Sequence, residues 1–211
     1  MKAYKYELSH QSNLIRLGNL LDDLHQVHVH VLKLQRRYYR LFGKYIPVYT
    51  MNKHIAKLKK RTKPHWNQLP SQVIQDVVFR IDKGYQRFFQ NIEDRRSGKT
   101  TKRIGKPHIK PQHKYNSMTF TQAGYKIEGN RIYISCLKKW FTFWKHCDWT
   151  GQIKTVTIKR DNVGDYYLIL TCNASEPIAH LPKTGHRAGI DFGLKTFLTL
   201  SDGTQRYILM R

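Results

Sequence analysis

Asp191 has the surroundings of a reaction centre. It sits in Gly189-Ile190-Asp191-Phe192-Gly193-Leu194-Lys195, followed by Thr196-Phe197-Leu198-Thr199-Leu200 and the pair Asp202-Gly203. The pattern predicts a strand from Arg187 to Phe192, a second from Thr196 to Leu200 and a third from Gln205 to Met210. A tight turn falls at Asp202-Gly203, because glycine tolerates positive φ. A carboxylate at the centre of a short strand flanked by glycines can offer hard oxygen to a divalent cation such as Mg²⁺. Two-metal phosphodiester cleavage needs several such ligands converging on the ions. After Asp191 the one further acid is Asp202, in the turn. Two other readings stay open: an Asp in an ordinary β-turn, or a Gly-rich turn that meets phosphate.

Other residues could carry binding chemistry. Lys53, Lys57, Lys59, Lys60, Arg61 and Lys63 form a positive run, read as contact with phosphates through Lys53, Lys57, Lys60 and Arg61 or as a solvated helix face. Lys102, Arg103, Lys106 and Lys114 lie among Gly98, Gly105, Pro107 and Pro111. That composition makes residues 95–114 a linker, able to follow a nucleic-acid backbone or simply to connect. Trp140, Phe141, Phe143, Trp144 and Trp149 sit among Lys138, Lys139, Lys145 and His146. Aromatics interleaved with cations make base-stacking platforms, and since half of these must face a core, Lys139 and Trp140 are the expected surface contacts. His25, His28 and His30 crowd one helix, but only the first two share a face. Without a third ligand they read as solvated or packed rather than as a metal site.

The chain that must position these groups has 211 residues, 40% hydrophobic and 12% aromatic, enough for one or two domains with a core. Thirty-eight Lys and Arg against 14 Asp and Glu give a net charge of +24, which makes a polyanion the natural partner. No apolar run approaches a spanning helix and the N-terminus carries no signal peptide, so a membrane is not expected. Three scattered cysteines offer neither a zinc ribbon nor a disulfide framework, and a cytoplasmic, reducing location follows.

Residues 2–8 alternate as a short strand. Ser12 would then cap a long helix whose stripe is Leu14, Leu17, Leu21, Leu24, His28, Val31, Gln35, Tyr38 and Phe42, ended by Gly43. A second helix is expected over Met51 to Lys60. A third opens at Leu69-Pro70-Ser71, with Ile74, Val77, Val78, Ile81, Tyr85, Phe88, Phe89 and Ile92 packing on the first. From Ser117 the period becomes two: Met118–Thr121, a hairpin of Tyr125–Glu128 and Arg131–Ser135 across Gly129-Asn130, Phe141–Trp144, and Gln152–Lys159 with Tyr166–Cys172 across residues 161–165. These short antiparallel strands predict a small barrel, completed by residues 2–8, with the helices inserted between its first two strands. The fold class is therefore α+β.

The order strand, helical insertion, basic Gly/Pro linker, barrel and G-I-D-F-G-L-K resembles the TnpB (OrfB) proteins of insertion sequences, relatives of type V CRISPR effector nucleases. The matching stretches are Tyr4-Lys5-Tyr6, Leu69-Pro70-Ser71-Gln72, Phe88-Phe89, Gly105-Lys106-Pro107, Gly151 to Ile158 and Gly189 to Lys195, which span essentially the whole chain. The resemblance implies a wedge-like (OB-like) barrel of residues 1–10 and 105–184, a helical recognition lobe of residues 11–104, and the first strands of an RNase H-like (RuvC) domain in residues 185–211. It implies a guide RNA from the transposon end, double-stranded target DNA and Mg²⁺-dependent cutting in a bacterial or archaeal cytoplasm near the nucleoid. Asp191 matches the first catalytic carboxylate.

The chain departs from the family where it lacks a Pro near Ser135 and a basic residue near Cys147. The family's second and third catalytic carboxylates and its zinc-binding cysteines lie beyond Arg211. The expectation is a protein that binds RNA and DNA but alone neither cleaves DNA nor holds Mg²⁺ tightly, without a zinc site. Two alternatives are a nuclease completed by a separate chain supplying the remaining RuvC segments, and a nonspecific basic nucleic-acid-binding protein without guide RNA.

Overall fold

The period-two segments pair into one antiparallel sheet. The computed structural model describes residues 1–9, 14–173, 187, 189–193 and 196–206 and divides into two compact units, Met1–Ser175 and Glu176–Arg211. In the first unit the strands are β1 (Lys2–Leu8), β2 (Ser117–Phe120), β3 (Tyr125–Glu128), β4 (Arg131–Ile134), β5 (Lys139–Trp144), β6 (Gln152–Arg160) and β7 (Tyr166–Asn173). Their order across the sheet is β2-β6-β7-β1-β5-β4-β3, so the first strand in sequence lies at the centre. Tyr4 pairs with Leu170 on one side and Leu8 with Phe143 on the other. The sheet curls until its ends nearly meet, where Phe120 closing β2 packs edge-on against Tyr125 opening β3 at 6.3 Å.

Alternation fills the barrel. Tyr6, Leu8, Phe120, Phe141, Leu168 and Leu170 point inward and are fully buried, each contributing roughly 1.5–3 kcal/mol of burial. The hairpins close where the sequence allows. Gly129 takes φ +57° between β3 and β4. Between β6 and β7, Asp161 Oδ1 accepts hydrogen bonds from the amides of Val163, Gly164 and Asp165, each at 2.9 Å.

Between β1 and β2 the chain forms α1 (Leu14–Phe42), α2 (Val48–Arg61) and α3 (Ser71–Arg96), with a 3-10 turn over Pro64–Gln68. Gly43, at φ +61°, ends α1 with its amide donating to the Tyr39 carbonyl. Residues 10–13, including the expected cap Ser12, lie outside the described residues. The seam of α1 is wider than the three-four stripe, since Leu20, Val27 and Leu32 are buried as well. It also ends sooner, because Tyr38 is half-buried and Phe42 exposed. α2 begins at Val48 rather than Met51, directly after Pro47, whose φ of −61° suits a helix entry. α3 packs on α1 as far as Tyr85, beyond which Phe88, Phe89 and Ile92 leave the core. Both long helices rest against β2, and the hydroxyl of Tyr166 comes within 3.0 Å of where a side chain on Gly18 would start.

Residues 100–111 form an extended strap held along the α1–α3 hairpin. The buried amide of Asn91 donates to the Lys102 carbonyl and accepts from the Ile104 amide, both at 2.9 Å. Arg36 donates to the Pro107 carbonyl at 3.0 Å, and a ring nitrogen of His25 lies 2.8 Å from the Lys110 carbonyl. Gly84 in mid-helix lets Pro107 approach, since an added Cβ would stand 3.0 Å from the proline ring. The expected free linker is thus a fixed element wherever these bonds hold it.

The second unit, described by itself, is a three-stranded meander of β8 (Ile190–Asp191), β9 (Leu198–Leu200) and β10 (Gln205–Arg206). The strands are shorter than the sequence pattern suggested, and the expected continuation to Met210 lies outside the described residues. Gly203 takes φ +84° in the predicted turn.

Candidate nucleic-acid interface

The expected cations divide by how freely they meet solvent. On α2, Lys53, Lys57, Lys60 and Arg61 are exposed, with the Lys53 ammonium 4.4 Å over the Tyr49 ring. Lys59 differs, donating to the Leu69 carbonyl at 3.2 Å, and burial lowers its pKa. On the strap Lys102, Arg103 and Lys106 are exposed, and Lys106 sits 5.7 Å over Phe88. Lys114 is exposed in the 3-10 turn Gln112–Lys114.

On β5 Lys139 is exposed, while Trp140 is half-buried between Tyr133, 5.3 Å away, and the Arg131 guanidinium at 5.7 Å. Trp144, at 69%, is the indole most open to solvent. Alternation along β5 puts Phe141 and Phe143 inside and Trp144 on the outer face with Trp140. Lys145 is committed to Asp148 by an ion pair and to the Trp149 ring at 4.7 Å.

The histidines are structural. His28 is buried against Tyr115, with ring centroids 5.2 Å apart, and burial pushes its pKa down to about 4. His30 stacks on His54 at 5.3 Å, their Nε2 atoms 3.1 Å apart, and burial lowers both pKa values.

One cationic cluster escaped the sequence reading. Lys33, Arg36, Arg37 and Arg40 recur at i, i+3, i+4 and i+7 on α1 and line a cleft of about 270 Å³. The spacing was visible but lay inside a helix already read for its apolar seam. Among the described residues Lys33, Arg37 and Arg40 make no ion pair, so their charge faces solvent. Lys33 also borders a cleft with Lys63 and His30, which carries positive charge from the end of α2 to the α1 stripe.

In the second unit Asp191 pairs across the sheet with Thr199, is exposed, and has no hydrogen-bond or ion-pair partner among the described residues. Gly193 is required where it stands, because a Cβ there would meet the Thr196 carbonyl at 2.9 Å. Asp202 Oδ1 accepts from the Thr204 amide at 2.9 Å, and hydrogen bonds from the Thr204 amide and hydroxyl hold its carboxyl below the usual range. Among the described residues no group of three His, Cys, Asp or Glu could hold a metal. This donor set does not fit a Mg²⁺ centre, which needs several converging oxygens. No described helix is long and apolar enough to cross a membrane. No protein-family model matches the chain, and no curated protein is significantly similar to it.

Proposed function

We propose that this chain is the nucleic-acid-binding portion of a TnpB-like RNA-guided system. In this reading the barrel is the wedge-like (OB-like) module and the helices are the recognition lobe. The meander bearing Asp191 is the opening of an RNase H-like domain whose metal centre these residues leave incomplete. The observation that carries the reading is the threading: a strand at the centre of a nearly closed seven-stranded sheet, three helices and a pinned basic strap before the next strand, and then a Gly-flanked carboxylate on a separate meander. A charge of +24, with cations on α1, α2 and the strap facing solvent, supports a polyanionic partner bound through its backbone and shape. Guide RNA and target DNA are the proposed partners, and the cytoplasm the proposed location.

The test is to purify the protein from its host and sequence the RNA that accompanies it. One dominant RNA mapping to a transposon end is the expected result. A random sample of cellular RNA, lost at moderate salt, would refute guide binding and leave nonspecific phosphate contact. Mg²⁺-dependent nicking that disappears with Asp191→Ala would refute the incompleteness of the centre.

A further inference from the structure

A cavity of about 430 Å³ opens between α1 and α3 where the core ends, within the ~300–1,000 Å³ typical of small-molecule sites. Its walls are aromatic: Tyr45 meets Tyr85 edge-on at 5.3 Å, and Phe88 and Phe89 lie 5.4 Å apart. Tyr39 and Phe89 are 53% and 41% exposed, so apolar ring surface that a helical hairpin would ordinarily cover stands open.

Gln35 borders the same cavity at 2% exposure, and neither its amide nitrogen nor its amide oxygen has a hydrogen-bond partner. A buried donor and acceptor left unpaired are costly, which points to a ligand that supplies both. Two cations, Arg36 and Lys106, complete the rim, and Arg36 also belongs to the cleft it shares with Lys33, Arg37 and Arg40. A stacking pocket thus adjoins a phosphate-sized cationic cleft through one shared guanidinium. The complementary ligand is planar and aromatic, has a donor–acceptor edge and is tethered to anions.

We propose that this cavity takes one unstacked base of a single-stranded nucleic acid, its flanking phosphates lying over Lys33, Arg36, Arg37 and Arg40. The inference rests on the nucleic-acid reading above. A duplex keeps its bases stacked and cannot fill such a pocket, whereas an unpaired strand can. The Gln35 amide is complementary to the N6/N7 edge of adenine, so adenine is the preferred base. Because that amide is shielded from solvent, pairing with it follows rotation of a side chain in the wall. Stacking on Tyr39 and Phe89 needs no such step.

The test measures binding of fluorescent 12-mers at fixed salt: oligo(A), oligo(U), oligo(dA) and a fully abasic strand of equal charge. The wild-type protein should bind oligo(A) roughly tenfold or more tighter than the abasic strand, the contribution of a stacked base. Tyr39→Ala with Phe89→Ala, at positions already exposed, should remove that advantage and leave the abasic strand unaffected. Gln35→Leu should abolish the preference for oligo(A) over oligo(U). Arg37→Ala with Arg40→Ala should weaken every strand and lower the salt slope by about two. Comparison of oligo(A) with oligo(dA) distinguishes RNA from DNA as the source of the base. Unchanged oligo(A) affinity in the Tyr39/Phe89 variant would overturn the pocket while leaving nucleic-acid binding intact. Displacement of oligo(A) by an acidic Tyr-containing peptide that is equally sensitive to that variant would assign the pocket to a protein ligand instead. Failure of the wild-type protein to bind any strand would overturn both the pocket and the reading beneath it.

Discussion

Acid should loosen the helical hairpin, and His28 should account for much of the effect. Its ring is 9% exposed and packs on Tyr115, and its Nε2 lacks a hydrogen-bond partner. Burial lowers its pKa from 6.5 to about 4. The hydrogen bond to the His108 backbone opposes that shift, while the charges of Lys110, His25 and Arg80 reinforce it. Because the folded-state pKa lies below the unfolded one, the unfolded chain binds more protons between the two values. The stabilisation is therefore full above about pH 6.5 and is lost progressively as pH falls towards 4. At about 1.4 kcal/mol per unit, the interval corresponds to about 3 kcal/mol.

His30 and His54 are shifted the same way, so the wild-type profile alone is not diagnostic. The comparison is with His28→Gln, whose amide can still donate to the His108 carbonyl but does not titrate. Urea denaturation followed by circular dichroism at pH 7, 6, 5 and 4 should show the wild-type protein losing about 3 kcal/mol more than the variant. Profiles that stay parallel across this range would refute the account of His28 as a buried neutral ring.

Asn91→Leu should cost about 1–3 kcal/mol locally, by removing both hydrogen bonds that seat the strap, and trypsin should then cut after Lys102, Arg103 or Lys106 at least several-fold faster. Phe120→Ala, at a fully buried position where β2 meets β3, should destabilise the first unit by about 3–5 kcal/mol, read as a fall of roughly 10 °C in Tm. Asp191→Asn should change neither Tm nor RNA affinity, since the carboxylate is exposed and unpartnered among the described residues, and Mg²⁺ titrations of the two proteins should superimpose.

The barrel was legible because a period of two leaves little choice. Once Met118, Phe120, Ile132, Ile134, Phe141 and Phe143 alternate with polar neighbours, pairing around Gly129 and Asp161 follows. The helices were legible as helices but not in extent. Phe88 and Phe89 fit an apolar stripe, yet the facing part of α1 turns polar after Gln35, so they have no helix partner to bury them. The strap was misread for a different reason. Gly, Pro and Lys are the composition of a flexible connection, and what fixes it is the amide of Asn91 matched to two backbone groups, a contact without periodicity or motif. Asp191 was found as a motif residue, but whether oxygens converge on it is a property of geometry that seven residues do not encode.

The excess charge is organised rather than spread evenly. Lys63 and Lys33 line one cleft, Lys33 shares the next with Arg36, Arg37 and Arg40, and Arg36 with Lys106 borders the aromatic cavity. Each step passes through a residue common to two neighbouring clefts, so the end of α2, the α1 stripe and the strap make one track. Lys139 and Trp140 on the barrel border none of these three clefts. A strand following the track neutralises its cations together, and each phosphate contact contributes about 0.9 to the salt dependence of binding on duplex DNA and about 0.7 on a single strand. Lys33 joins two clefts, so Lys33→Glu should weaken single-strand binding more than Lys139→Glu and lower the salt slope by about one or more. Equal losses in the two variants, with equal slopes, would mean that the protein attracts nucleic acid by net charge alone and that the track does not guide it.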